Sequence, residues 1–163
     1  MNQIRQFVLE ALEYANVAYK ITEHPAVYTI EEMDQLQIDP QNEVAKNLFL
    51  RDDKKQRYFL LVLPKYKQVD LNAIRMAVDS RRLSFASADD LTHYLGLSKG
   101  AVSPLGVLND TERSVEVVLD QELRSYERIG VHPNENTATL WLRPADLVSI
   151  IQNHGNSISY ITL

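Results

Sequence analysis

The sequence predicts an α/β (α+β) domain in which a mixed β-sheet is surrounded by helices. Three observations carry this reading. Segments of helical periodicity and short apolar runs of strand character are interspersed along the whole chain. Two of those runs flank the polar turn Asp52-Asp53-Lys54-Lys55, which predicts a hairpin and argues against a purely parallel sheet. At 163 residues, with 45% hydrophobic and 24% charged residues, the chain has room for one well-cored domain spanning 1–163.

The elements follow in order. Ile4, Phe7, Val8, Ala11, Leu12 and Ala15 recur at helical spacing, so residues 3–15 form an amphipathic helix. Tyr19 and Ile21 alternate with polar neighbours in a short strand, which His24-Pro25 interrupts, because the residue before proline avoids the helical region. Thr29-Ile30-Glu31-Glu32 has the pattern of a capping box for a second helix ending near Leu36. Val44 to Leu50 and Tyr58 to Leu63 are the strands of the hairpin. Leu71, Ile74, Arg75 and Val78 mark a helix capped by Asp70, and Leu83-Ser84-Phe85 is a strand. Ser87-Ala88-Asp89-Asp90 opens a helix through Leu95 that Gly96 is suited to end. From Ser98 to Asp110 the pattern dissolves into a loop rich in Ser, Gly, Pro and Asn. Strands follow at Val115–Leu119, at Val131 and at Thr137–Leu142; then comes a helix with Pro144 in its first turn, and a last strand near Ile158, Tyr160 and Ile161.

Composition removes several classes of chemistry. With no cysteine there are no disulfides, thiolate metal sites or cysteine nucleophiles. His24, His93, His132 and His154 are too far apart in sequence for a His-rich metal motif, so no metal is expected. No nucleophile elbow, phosphate loop, dinucleotide fingerprint or zinc-deaminase pattern is present, so no cofactor is expected either. The longest apolar run, Phe59 to Leu63, is too short to span a bilayer, and the N-terminus lacks a signal-peptide pattern, which predicts a cytoplasmic protein with no membrane partner. A net charge of −5 argues against wrapping DNA or a long RNA, while leaving room to touch one end of an RNA through a local patch. Lys54, Lys55 and Arg57, then Lys65 and Lys67, then Arg81 and Arg82 are the candidates, each with a solvated surface as the plain alternative.

Lys46 is the most informative residue. Alternation puts it on one strand face with Val44, Leu48 and Leu50, opposite Ala45, Asn47 and Phe49, so both faces are largely apolar. A lysine there has a partner or a task, or else stands at the strand end and reaches water along its stem. Gly100-Ala101-Val102-Ser103-Pro104 permits close backbone approach, and its N–H groups can hold an anion or a developing oxyanion; an ordinary connector reads the same way. His132-Pro133 closes a strand, as either a substrate-orienting or a structural imidazole. Thr29 and Asp120 read first as helix caps, with a site carboxylate the sharper alternative for Asp120.

His24-Pro25-Ala26-Val27-Tyr28-Thr29, Ala45-Lys46-Asn47-Leu48-Phe49-Leu50-Arg51-Asp52, Leu83 to Ser87, Gly100 to Pro104 and Gly130 to Pro133 together resemble, in order and spacing, the YbaK/prolyl-tRNA-synthetase-associated editing-domain family, and within it the free-standing ProX-type (PrdX-like) branch. The resemblance covers nearly the whole chain. It implies a mixed, partly barrel-like sheet and hydrolysis of mischarged aminoacyl-tRNA, most often alanyl-tRNA for proline. The implied partners are the aminoacylated tRNA acceptor end and prolyl-tRNA synthetase. It makes Lys46 the family's signature lysine near the terminal adenosine, Gly100 to Pro104 the substrate loop, and His132 the histidine that discriminates the aminoacyl group. On this reading Lys46, Gly100 and His132 serve catalysis. Thr29, Ile30, Asn47, Leu48, Ala101, Val102, Ser103, Pro104 and Asp120 bind substrate, with Ile30, Leu48 and Val102 in the acyl-pocket wall. An ester is activated enough that a placed water and oxyanion stabilisation suffice for its cleavage. Cysteinyl- or seryl-tRNA as the load, a non-catalytic module binding tRNA or a synthetase, and a small-molecule regulator are the rival readings.

Overall fold

The computed structural model describes residues 2–163. Helix α1 (Gln3–Tyr14) starts where the Asn2 side chain accepts the Ile4 amide, and it buries Val8 and Leu12. Strand β1 (Lys20–Glu23) precedes α2 (Ile30–Gln35), whose first turn is capped by Thr29. The hairpin forms from β2 (Ala45–Asp52) and β3 (Tyr58–Pro64). Then come α3 (Leu71–Ala77, capped by Asp70), β4 (Leu83–Phe85), and α4 (Ala88–Leu95), whose capping box is complete and which ends on left-handed Gly96. Strands β5 (Val115–Asp120), β6 (Ile129–Val131) and β7 (Ala138–Leu142), helix α5 (Pro144–His154) and strand β8 (Ile158–Ile161) complete the chain.

The strands form a five-stranded sheet in the order β4-β2-β3-β5-β8 and a three-stranded sheet in the order β1-β7-β6. The larger sheet is mixed: β2 pairs antiparallel with β3 and β4, while β5 lies parallel to β3 and β8. The two sheets do not close on each other, which corrects the partly barrel-like expectation. They touch through an isolated parallel bridge, Val44 to Gly130. The Ser98–Asp110 stretch is also more regular than its composition suggests, for Pro104–Asn109 form a 3-10 helix that Ser103 caps. Short 3-10 turns leave no periodicity long enough to read in sequence.

The layers follow from strand alternation. Ala45, Phe49, Leu60, Val62, Val117 and Leu119 of the large sheet face Ile129, Val131, Leu140 and Leu142 of the small one across the main core, which α1, α4 and α5 help to close. On the far face of the large sheet, Leu50, Phe59, Leu61 and Leu63 pack with Ile74 of α3. On the far face of the small sheet, Trp141 packs with Val27, Met33 and Val44 beneath α2. All seven residues of β3 are buried, as expected of a central strand covered on both sides.

Candidate active site

The candidate site lies where the two sheets meet. The N-terminal end of β2 brings Val44, Ala45, Lys46 and Asn47 to one wall of a hollow of about 220 Å³; Val27 to Ile30 and Met33 form a second wall, and Gly100, Val102 and His132 close it. Behind it, Asn47, Gly130, His132 and Thr139 border a recess of about 20 Å³, enough for one water. The Asn47 Oδ1 atom is buried and has no protein partner, so it is an acceptor left over on the wall.

Ion pairs hold the α2 wall in place. Lys65, just past β3, bridges Asp34 of α2 at 2.7 Å and Asp39 at 2.9 Å, and Asp39 accepts the Glu43 and Val44 amides at 2.7 and 2.9 Å. Burial works against the Lys65 charge, but the two carboxylates outweigh it and raise its pKa.

Lys46 shares its strand face with Leu48 and Leu50, yet at the end of β2 its side chain still borders the hollow. Its ammonium donates to the Lys67 carbonyl, and burial lowers its pKa. An ammonium has three donors, so two remain for a guest. Gly100 has φ +94°, and a Cβ there would lie 2.6 Å from the Tyr28 ring, so glycine is required on both counts. The Ala101 amide is spent on the Ser98 carbonyl, whereas those of Gly100 and Val102 meet no protein acceptor among the described residues.

His132 is half-buried. Its Nδ1 sits 3.0 Å from the Ala138 carbonyl, which assigns the proton to that nitrogen and leaves Nε2 as an acceptor. Desolvation pushes the His132 pKa down; the Ala138 carbonyl opposes that push and nearby His24 adds to it. The His24 and His132 ring centroids are 6.2 Å apart, and His24 Nε2 lies 2.9 Å from the hydroxyl of buried Thr139.

The structure thus brings Thr29, Ile30, Lys46, Asn47, Gly100, Val102 and His132 to one hollow. The other nominated residues lie elsewhere. Leu48 packs on the α3 side of the large sheet, because alternation aims it away from the wall. Ala101, Ser103 and Pro104 are buried, with Ser103 accepting the Leu105 amide at 3.2 Å. Asp120 caps the 3-10 helix Gln121–Ser125 and pairs with Lys67 at 2.6 Å, one residue removed from the Lys46 ammonium. Sequence reasoning missed Val27, Tyr28, Met33, Val44 and Ala45 as walls, and Thr139 in the recess. Tyr28 is two-thirds exposed in the structure, and its place directly before the Thr29 cap is the one part of this that the sequence shows. Of the proposed basic patches, Arg57 pairs with Glu116, Arg81 with Asp53, and Lys65 and Lys67 with acids, while Lys54, Lys55 and Arg82 are exposed without an ion pair among the described residues. Among the described residues no group of three His, Asp or Glu side chains could hold a metal ion, and no helix is long and apolar enough to cross a membrane.

The family model of the aminoacyl-tRNA editing domain matches residues 24–150. The chain is 44% identical over 159 residues to the prolyl-tRNA editing protein ProX of Acetoanaerobium sticklandii, covering 98% of this chain and 97% of that one. It is 36% identical over 151 residues to prolyl-tRNA synthetase associated domain-containing protein 1 of Danio rerio, covering 91% and 82%. A crystal structure of a proposed trans-editing enzyme for prolyl tRNA synthetase superposes with a TM-score of 0.76 at 20% identity, covering 100% and 99%, which speaks for the fold.

Proposed function

The chain belongs to the aminoacyl-tRNA editing domain family, and on that premise we propose that it is a trans-editing deacylase for mischarged proline tRNA whose load is alanine. The observation that carries the reading is the convergence of Lys46, the Gly100 loop and His132 on one small hollow beside the α2 cap. The free donors of Lys46 suit a terminal phosphate or ribose oxygen. The open amides of Gly100 and Val102 suit the ester oxygen as it becomes an oxyanion. Neutral His132 offers Nε2 to a water or to the aminoacyl amine, and the substrate's own ribose hydroxyl can help to orient that water. The ester C–O bond breaks, the water oxygen joins the acyl carbon, and the proton ends on the departing ribose oxygen.

Alanine is smaller than proline, so a synthetase pocket shaped for proline does not exclude it by size. Each methylene is worth only about 1–3 kcal/mol of discrimination. On this reading the hollow, walled in part by Ile30, Met33, Val44 and Val102, is the second sieve, one that admits the methyl group and refuses the ring. The partners of this reading are the tRNA acceptor end and prolyl-tRNA synthetase, whose product it corrects, in the cytoplasm.

Alanyl-, prolyl-, cysteinyl- and seryl-tRNA incubated with the protein decide the matter. Rapid loss of the alanyl ester with prolyl ester spared is expected. Intact alanyl ester beside cleaved cysteinyl or seryl ester reassigns the load, and an intact panel rejects the deacylase.

A further inference from the structure

A second cleft, of about 430 Å³, lies behind the wall of the hollow, and Lys20, Arg128, Trp141 and Arg143 are among the residues that line it. Its place follows from register. Lys20 and Gly130 both pair with Trp141, so these three share the far face of the small sheet with Thr22 and Thr139. Arg128 and Arg143, each one residue beyond the end of its strand and two from Gly130 and Trp141, continue that face. The Trp141 indole packs with Val27, Met33 and Val44, all of which line the hollow. Hollow and cleft therefore stand on opposite sides of one small apolar wall. Along β7, Thr139 to Arg143 spans about 14 Å.

The cleft's chemistry is cationic and aromatic. The Arg128 guanidinium stacks 4.2 Å over the Trp141 ring and leans toward Glu43 at 3.5 Å. Arg143 is 73% exposed and pairs only with Asp146 of its own helix. Lys20 is exposed and has no ion-pair partner among the described residues. Glu127 is the one acid on the lining. In a chain of net charge −5, three cations stand around one cleft with a single acid on its lining; Arg128 and Arg143 have Glu43 and Asp146 as ion-pair partners that a phosphate would have to displace or share. The whole-molecule field does not draw in a polyanion, so a local cluster has to hold it.

We propose that the Lys20–Arg128–Arg143 cleft binds backbone phosphates of the tRNA acceptor end while the charged terminus occupies the hollow across the Trp141 wall. The proposal rests on the deacylase reading for the identity of the RNA. Phosphate contacts hold the RNA without reading its sequence, which suits a site that must set register for a terminus.

The test is the salt dependence of binding of an uncharged proline-tRNA transcript. Each single-stranded or duplex phosphate contact adds about 0.7 to 0.9 to the slope of log affinity against log salt. Lys20→Ala/Arg143→Ala is expected to lower the slope by about 1.5 and to cut kcat/KM on alanyl-tRNA roughly tenfold at low salt. Hydrolysis of 3′-alanyl-adenosine, which cannot reach the cleft, stays at the wild-type rate. Arg81→Ala, which removes a cation elsewhere, leaves the slope alone. An unchanged slope in the double variant, an equal fall in Arg81→Ala, or an equal loss on alanyl-adenosine overturns the proposal. If the wild-type protein cleaves neither ester, the deacylase reading fails, and the slope comparison still decides whether the cleft holds RNA.

Discussion

At the residue scale, the site sets an ammonium and an imidazole against one hollow in opposite protonation states. Burial lowers the pKa of Lys46, yet its ammonium keeps the Lys67 carbonyl as an acceptor and two donors free. Lys46→Ala removes those donors while leaving a partly exposed strand end that tolerates a short side chain. Activity on alanyl-tRNA is expected to fall roughly 100-fold, the scale of losing one transition-state donor, with the melting temperature little changed. Full activity in that variant removes Lys46 from the chemistry. His132 titrates below the ordinary histidine value of 6.5 because it is desolvated. The unfolded chain therefore takes up the proton first as pH falls, and folding loses stability between 6.5 and the lower folded value. The acid limb of kcat/KM is expected below pH 6.5, and His132→Gln should abolish that limb. A limb above 6.5 contradicts the assignment.

At the element scale, helix α2 is the wall of the hollow that ion pairs tie to the end of β3. Lys65 and Asp39 are both more than nine-tenths buried, and Asp39 also fixes the backbone where the chain enters β2. Breaking such a pair by removing one partner strands a buried charge at a cost of about 3 kcal/mol or more. Lys65→Met is expected to lower stability by that amount in urea unfolding and to raise KM, because Thr29, Ile30 and Met33 ride on the same element. A variant as stable as wild type with unchanged KM shows that α2 is held by its apolar contacts with Trp141 and Val44 alone. The loop from Ser98 to Ser103 is the opposite case. Its one glycine in the left-handed region sits against Tyr28, and the capped 3-10 helix that follows anchors its exit.

At the scale of the whole molecule, the hollow exists because two sheets meet without closing. Their junction is the Val44–Gly130 bridge, and a Cβ on Gly130 would lie 2.7 Å from the Trp141 ring and 3.0 Å from Val44. Trp141 and Val44 are both buried, and Trp141 is further held between the Arg128 guanidinium and the Val27 and Met33 side chains. Gly130→Ala is expected to cost about 1–3 kcal/mol, the range for overpacking a filled interior. It should also lower activity, because Val44 and His132 would shift together. Thermal unfolding beside deacylation measures both, and a neutral substitution would show that the junction yields.

The sequence by itself determined the elements. The helix caps at Thr29, Asp70 and Ser87, the hairpin at Asp52 to Lys55 and the strand runs all appear close to their expected bounds. They are legible because caps, turns and alternation are local rules acting over a few residues. Lys46, Gly100 and His132 stood out for the same local reasons, as a charge on an apolar strand, a permissive backbone and an imidazole at a strand end. Only the tertiary structure decided which neighbours share their hollow. It sent Leu48 to the α3 face, buried Ser103 as a cap, tied Asp120 to Lys67, and put Met33, Val44 and Trp141 between two cavities. Those outcomes depend on how two sheets stack and on contacts between residues up to about a hundred positions apart, which no local pattern encodes.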